Sequence, residues 1–402
     1  MRVLSASFDV FPGPKGACTH IKAFAQALAM EFDEIHLVTI QNNNEEWSEQ
    51  SSSVVAELSS EGISHHGLPC IGRNVIERAL SYRRHLGGWL RDAGRFDAIH
   101  VRSIFEAYPV AKQKTKYCDV LVFECNGLPS IELKYHYPKV AQDDELLSKL
   151  RFQEMFCLEK ADLIVTPSAV TKNYLTSLGL PAEKIEIIRN GVDIDLFSCS
   201  SSGGLKNEDE PLKLLYPGTM TSWQGVLCAI DALNLLRRDV MAELFLVGPV
   251  KKTQRKNLER YIFEQGLTGQ VTLVPPVTQP ELVDWHHKSD ILLVPLPSND
   301  RNVIQGCCPL KLLEGMACGI PIVATGLDVV RELATPDEHV VMVKPNSPKA
   351  LKDGVLRYLA NSDLARRLSQ NAREHVEKKF QWRHAQEHLR KVYRVMLSNN
   401  TI

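Results

Sequence analysis

The chain has 402 residues, 44% of them apolar and 24% charged, with 47 basic side chains against 48 acidic ones. A length beyond the roughly 250–300 residues at which one core stops growing calls for two domains, and the ordinary composition excludes a disordered or fibrous chain. Balanced charge removes the global field that nucleic acid would require, so no nucleic-acid partner is expected.

From the N-terminus, MRVLSASFDVFPG carries no long apolar run, and nowhere do about 18 consecutive apolar residues occur. Neither a secretion signal nor a membrane span is expected. The ten cysteines include no C-x-x-C pair, and the adjacent Cys307 and Cys308 are poorly placed to share a metal or a disulfide. They read as buried free thiols of a reducing, cytoplasmic protein.

Short β-branched runs then alternate with amphipathic helical windows along nearly the whole chain. The predicted strands of the first half are RVLSASF, EIHLVTI, DAIHVRS, DVLVFEC, DLIVTPS and KIEIIRN. Those of the second are LKLLYPG, AELFLVG, QVTLVP, DILLVPL, IPIVAT and HVVMVKP. This rhythm predicts an α/β protein of two doubly wound, Rossmann-like domains whose sheets bind ligands beyond the carboxyl ends of their strands, in a cleft. The expected boundaries are an N-terminal Rossmann-like domain at 1–197, a polar linker at 198–211, a C-terminal Rossmann-like domain at 212–381, and a C-terminal helix at 382–402 that can pack back on the first domain.

Within the first half, the segment 72–95 interleaves arginines with Ile76, Leu80, Leu86, Trp89 and Leu90. It reads either as a sheet-covering helix with a solvated face or as a surface for anionic lipid at the inner face of a membrane. Gly87-Gly88 is expected to break it. His65-His66 and His286-His287 are adjacent pairs, which point to different sides of a regular element, so no metal site is expected.

In the second half, the stretch GCCPLKLLEGMACGIPIVAT predicts a helix opening at Pro309 and stopping at Gly319, with Leu312, Leu313, Met316 and Ala317 as its buried stripe. Lys311 and Glu314, three apart, are then neighbours on the other side. They read either as a solvated ion pair or, because the helix follows the apolar strand DILLVPL, as a pocket for a nucleoside diphosphate. In the second case the lysine meets phosphate, and the carboxylate accepts hydrogen bonds from two ribose hydroxyls.

Four segments in order, GPKGACTH, IIRNGVDIDLF, YPGTMTSWQGV and PLKLLEGMACGIPIVAT, resemble glycosyltransferase family 4, retaining enzymes of the GT-B fold. The resemblance implies that Glu314 holds the ribose, that Gly16 and Ala17 bring backbone N–H groups to the donor phosphate, and that the turn bearing Gly218, Thr219 and Gln224 faces the diphosphate. Many relatives carry a second glutamate eight residues before the ribose-binding one, where this chain has Gly306. The loop of Cys307, Cys308 and Leu310 can still offer its amides. Relatives also place an arginine and a lysine where Thr219 and Gln224 stand, so the compensating charge is expected from Lys311, together with Arg301 if that residue is not simply exposed. Asn126 stands in the place of a histidine that approaches the donor sugar; with Lys311 it is the expected catalytic residue, although an amide cannot act as a base. Arg102 and Glu124 are expected either as acceptor contacts or as each other's internal partner.

The implied reaction is the metal-independent transfer of a hexosyl unit from a UDP-, GDP- or ADP-sugar to a hydroxyl acceptor, the leaving phosphate serving as base. Three competing readings are a non-catalytic nucleotide-sugar-binding subunit, an epimerase or hydrolase on the same fold, and, more distantly, a dinucleotide-dependent oxidoreductase.

Overall fold

The computed structural model describes residues 1–13, 15–42, 48–199 and 210–399. The chain forms two compact units, Met1–Arg189 with Arg383–Ile402, and Asn190–Trp382. Of the segment read as a linker, residues 200–209 lie outside the described residues.

The first unit is built on a seven-stranded sheet in the order β3-β2-β1-β4-β5-β6-β7. Its strands are β1 (Arg2–Phe11), β2 (Glu34–Gln41), β3 (Ile63–Leu68), β4 (Phe96–Val101), β5 (Cys118–Glu124), β6 (Leu163–Thr166) and β7 (Ile185–Ile187). All neighbours run parallel. Strand β3 was not among the predicted strands. Its sequence, ISHHGL, buries only its two ends, so the apolar alternation that marks the other strands is missing. His65 lies 2.9 Å from the Thr39 hydroxyl and His66 lies 3.0 Å from His36, so the adjacent rings do face different ways.

The second unit holds a six-stranded parallel sheet in the order β10-β9-β8-β11-β12-β13. These are β8 (Leu212–Pro217), β9 (Ala242–Val247), β10 (Val271–Val274), β11 (Ile291–Val294), β12 (Ile322–Thr325) and β13 (Val341–Val343). Every residue of β11 and β12 is buried, as expected of parallel strands covered on both faces. In each sheet the strand order reverses once, between β1 and β4 and between β8 and β11. Loops on either side of such a reversal diverge and leave a crevice at the carboxyl ends of the strands.

The helix Val75–Ala93 runs unbroken through Gly87-Gly88, contrary to the expected break. Its buried stripe of Ala79, Tyr82, Leu86 and Leu90 continues on both sides of the pair, and that packing outweighs the roughly 1 kcal/mol that each glycine costs a helix. The chain returns to the first unit at Arg383. There Gln386 donates to the Ala23 carbonyl (2.9 Å), Arg390 and Arg394 both pair with Glu31, and Tyr393 is fully buried.

Candidate functional site

In the second unit, β8 ends at Pro217 and the chain turns through residues 218–225. The turn is pinned from below by Tyr216, whose buried hydroxyl donates to the carbonyls of Thr219 (3.3 Å) and Gln224 (3.2 Å). The helix Leu310–Cys318 begins one residue later than expected, with Pro309 as its cap, and Gly319 closes it in the left-handed conformation. Leu312, Leu313, Met316 and Ala317 are fully buried, which turns Lys311 toward the end of β8.

Lys311 is only 7% exposed. Its ammonium lies 4.2 Å from the centroid of the Tyr216 ring. It also lies 3.2 Å from where a Cβ at Gly218 would be, so a side chain at Gly218 would crowd it. The buried Nζ has no hydrogen-bond partner, which removes the solvated ion pair as a description of Lys311 and Glu314. Burial pulls the lysine pKa down to about 7 against the opposing pull of Glu314 and Cys307. Burial pushes the partly buried Glu314 up to about 7, with Lys311 opposing.

Two more buried polar atoms on this turn, Thr221 Oγ1 and Gln224 Oε1, also lack a hydrogen-bond partner. Unsatisfied buried polar groups are uncommon because each costs about 1–3 kcal/mol. Three of them around the ends of β8 and the start of one helix suit a pocket shaped for a polar, anionic ligand. Thr221 was not singled out in the sequence; nothing in the local pattern distinguishes it from Thr219.

The loop after β11 supplies the other wall. Gly306 has φ 83° and ψ 169°, a backbone conformation that strains any residue with a Cβ. That explains the glycine eight residues before Glu314: a glutamate there would need a differently folded loop. Arg301 is 7% exposed, not an exposed loop residue. Its guanidinium lies over the Trp223 ring at 4.8 Å, and Nη1 donates to the Gly306 carbonyl at 2.6 Å. Cys308 is buried, Cys307 and Leu310 are half-buried, and the Cys308 carbonyl accepts from Asn190 Nδ2 at 2.8 Å.

In the first unit the corresponding crevice lies at the ends of β1 and β4. The register of β1 against β2 shifts between Ala6 and Val10. Asp9 sits in this irregular stretch and accepts from the Ser7 hydroxyl (2.9 Å) and Arg102 Nη1 (3.0 Å). Arg102 Nε donates to Glu124 (3.0 Å), so the two residues spend hydrogen bonds on each other. His100 Nε2 (2.9 Å) and His20 Nε2 (2.8 Å) also face Glu124. Burial alone would push this carboxyl up, but His20 and Arg102 hold it well below the usual carboxylate range. Asn126 Nδ2 makes a very short contact to Glu124 Oε1. A carboxylate only accepts, so the contact orients the amide with its NH2 toward Glu124 and its carbonyl oxygen away.

Glu106 fixes the start of the next helix, accepting from the backbone N–H groups of Arg102 (2.9 Å) and Ser103 (2.7 Å). Gly16 and Ala17 open the helix Gly16–Ala29, whose N-cap residue Lys15 makes no side-chain capping bond. Asp9, His20, His100 and Tyr393 escaped the sequence reading. Asp9 had a signal, a carboxylate directly after the first predicted strand, RVLSASF. Tyr393, whose hydroxyl lies 2.8 Å from His100 Nδ1, is 293 residues away along the chain and had none.

Among the described residues no group of three or more His, Cys, Asp or Glu side chains could hold a metal ion, and no helix is long and apolar enough to cross a membrane. The outward face of the helix Val75–Ala93 exposes Ile76 (50%) and Leu80 (56%), while Arg83 is turned inward onto the carbonyls of Ile104 and Phe105.

Two parallel Rossmann-like sheets, each with polar side chains gathered where its strand order reverses, define the GT-B class of sugar-transferring enzymes. The family description "Glycosyltransferase Family 4" matches residues 14–196 and "Glycosyl transferases group 1" matches residues 201–375. The chain belongs to this family of glycosyltransferases. A D-inositol 3-phosphate glycosyltransferase of Paenarthrobacter aurescens is 25% identical over 202 residues, 48% of this chain, and the match spans about half (48%) of that relative's own length. Among solved structures, sucrose-phosphate synthase from Thermosynechococcus elongatus has a TM-score of 0.79 at 20% identity, covering 99% of this chain and 100% of that one. Anabaena HepE in complex with UDP-glucose has a TM-score of 0.74 at 16% identity, covering 98% and 99%. At these identities the structures show the shared fold.

Proposed function

We propose that this enzyme transfers a hexosyl unit from a nucleoside diphosphate sugar to a hydroxyl acceptor with retention of configuration. The observation that carries the reading is the buried, unpartnered Lys311 ammonium at the end of β8, one turn from Glu314. Glu314 accepts hydrogen bonds from the ribose hydroxyls, and Lys311, rather than a resident metal ion, is assigned the charge of the diphosphate. In the second unit Gly218, Thr219, Gln224 and the Gly306–Cys308 backbone complete the donor contacts; in the first, the backbone N–H groups of Gly16 and Ala17 at the start of their helix are proposed as hydrogen-bond donors to phosphate. A diphosphate donor is supported by the UDP-glucose held by HepE.

In the proposed reaction the bond from the anomeric carbon to the phosphate oxygen breaks, and the acceptor oxygen attacks the same face. The acceptor's proton passes to the departing phosphate. This route asks no base of the protein, which agrees with an amide at Asn126 and with a Glu124 carboxylate already engaged by Arg102, His20, His100 and Asn126. The protein contributes position and charge stabilisation. Asn126 offers its carbonyl oxygen to a substrate hydroxyl. On the acceptor side, Asp9, with a side chain 41% exposed, is more accessible than Arg102, which pairs with it, or Glu124, which pairs with Arg102.

Thermal-shift measurements with UDP-, GDP- and ADP-sugars test the donor class, because a ligand that binds only the folded state raises its apparent stability. For the nucleotide that binds, Glu314→Ala is expected to lower affinity about 100-fold, the loss of two charge-assisted hydrogen bonds. Unchanged affinity in calorimetry would remove the ribose assignment.

We also propose a peripheral contact with anionic membrane lipid through the outward face of the helix Val75–Ala93. It is favoured by Ile76 and Leu80 standing one turn apart beside the exposed Arg73 and Arg84. The wild-type protein is expected to sediment with vesicles containing phosphatidylglycerol and not with phosphatidylcholine alone. The double variant Ile76→Ser, Leu80→Ser is expected to stay in the supernatant, and equal sedimentation of both proteins would discard the contact.

A further inference from the structure

The turn 218–225 and the loop 295–309 leave neighbouring strands, β8 and β11, and polar contacts tie them together. The Arg301 guanidinium covers the Trp223 ring at 4.8 Å. Asn302 Nδ2 donates to the carbonyls of Trp223 (3.0 Å) and Pro297 (2.9 Å). Arg301 Nη1 donates to the Gly306 carbonyl (2.6 Å), and the Gly306 N–H donates back to the Arg301 carbonyl (3.1 Å). Between these ties, Val303 and Ile304 are 43% and 44% exposed. Apolar burial of those two residues therefore does little to hold the π-helical turn Arg301–Gln305; its polar ends hold it.

We propose that Trp223 and Arg301 are coupled positioning residues that set the shape of the Gly306–Cys308 backbone, and that Arg301 acts on a bound donor through this loop rather than by touching its phosphates. Gly306 sits at φ 83°, a conformation that glycine tolerates but does not adopt by default, so the ring closed by Arg301 on both sides of it selects one shape. The guanidinium carbon lies over the indole ring while Nη1 donates to the Gly306 carbonyl. The rigid guanidinium fork holds both contacts in one fixed geometry, which a lysine ammonium on its flexible stem does not reproduce. The two glycosyltransferase charges missing at Thr219 and Gln224 are thus not replaced by Arg301. Its charge serves the loop.

The ligand part of this inference rests on the donor reading; the coupling between Trp223 and Arg301 does not. Hydrogen exchange on the ligand-free full chain therefore comes first. Arg301→Ala and Trp223→Ala are each expected to speed exchange of the amides at 306–308 by about tenfold or more, since both release the same local structure. The double variant is expected to add little to either, and Trp223→Phe, which keeps a ring under the guanidinium, to retain most of the protection. Additive effects, or no effect of Trp223→Ala, would overturn the coupling. Calorimetry with UDP and UDP-glucose then separates positioning from contact. Positioning predicts that Arg301→Lys binds as poorly as Arg301→Ala and that Trp223→Ala matches both. If Arg301→Lys keeps wild-type affinity while Arg301→Ala loses it, the charge itself meets phosphate and the assignment falls. If the wild type binds neither UDP nor any other nucleotide, the donor reading fails, and the exchange result still decides the coupling.

Discussion

Replacing Lys311 with methionine is expected to destroy nucleoside diphosphate binding and, in the same protein, to raise thermal stability. The ammonium is buried, lies over the Tyr216 ring beside the space where a Gly218 side chain would be, and has no hydrogen-bond partner. Burial lowers its pKa from 10.5 to about 7, Glu314 opposing. A displacement of this size corresponds to a penalty of about 5 kcal/mol on the charged form, an upper figure that the protein carries at and below pH 7. The sign follows from proton counting. Between pH 7 and 10.5 the unfolded chain holds this proton and the folded one does not, so the group's contribution to stability improves as pH rises through that window. Methionine keeps the length and the contact with the ring and removes the charge, so the gain in midpoint over wild type is expected to be largest at pH 7 and below and to shrink above it. Affinity for UDP is expected to fall by about two to three orders of magnitude, the cost of leaving a diphosphate without its buried cation. Calorimetry and thermal unfolding across pH check both halves. A variant that kept UDP affinity, or lost stability at pH 7, would show that Lys311 is satisfied by something other than a ligand.

The same helix shows how far the sequence could be read. Its stripe of Leu312, Leu313, Met316 and Ala317 was legible because helical spacing and burial are local consequences of one segment. From that stripe the direction of Lys311 and Glu314 followed. What they face was not legible, because Tyr216 and Gly218 arrive from a strand about a hundred residues earlier. The glycine at 306 could be recognised as a departure, but its reason is a backbone angle that only the folded loop reveals. Arg301 could be read as exposed or as a phosphate ligand; its stacking on Trp223 decides against exposure and depends on the turn between β8 and the next helix. In the first unit, twelve strands' worth of apolar rhythm across the chain left out β3, since ISHHGL spends its centre on partly exposed histidines and a glycine. The Glu124 network was half visible. Arg102 and Glu124 stand at the ends of β4 and β5, whereas His20, His100 and Tyr393 come from a helix face, the body of β4 and the C-terminal helix. Periodicity reports which side of an element is buried and says nothing of which buried polar groups will meet.

Replacing His286 with leucine is expected to stabilise the second unit, and increasingly so as the solution is made acidic. His286 lies on the helix Gln279–Lys288, is 1% exposed, and presents both ring nitrogens to the interior without a hydrogen-bond partner. Its ring meets Phe197 edge-on at 6.3 Å. Burial, helped by the neighbouring His287, pushes its pKa from 6.5 down to about 3. Below pH 6.5 the unfolded chain takes up a proton that the folded chain refuses until about pH 3, so stability contributed by the neutral ring is full above pH 6.5 and is lost as pH falls through that window. At pH 5 the loss from this one group is about 2 kcal/mol, which for a unit of this size corresponds to roughly 4–8 °C in midpoint. Leucine has a similar volume, fills the space beside Phe197 and carries no ring nitrogen to leave unsatisfied. The variant is therefore expected to melt a few degrees above wild type at pH 7 and clearly further above it at pH 5. Thermal unfolding of both proteins at the two pH values checks this. Equal midpoints at both would mean that the imidazole finds partners in solution, and a lower midpoint for the variant would mean that they are strong ones.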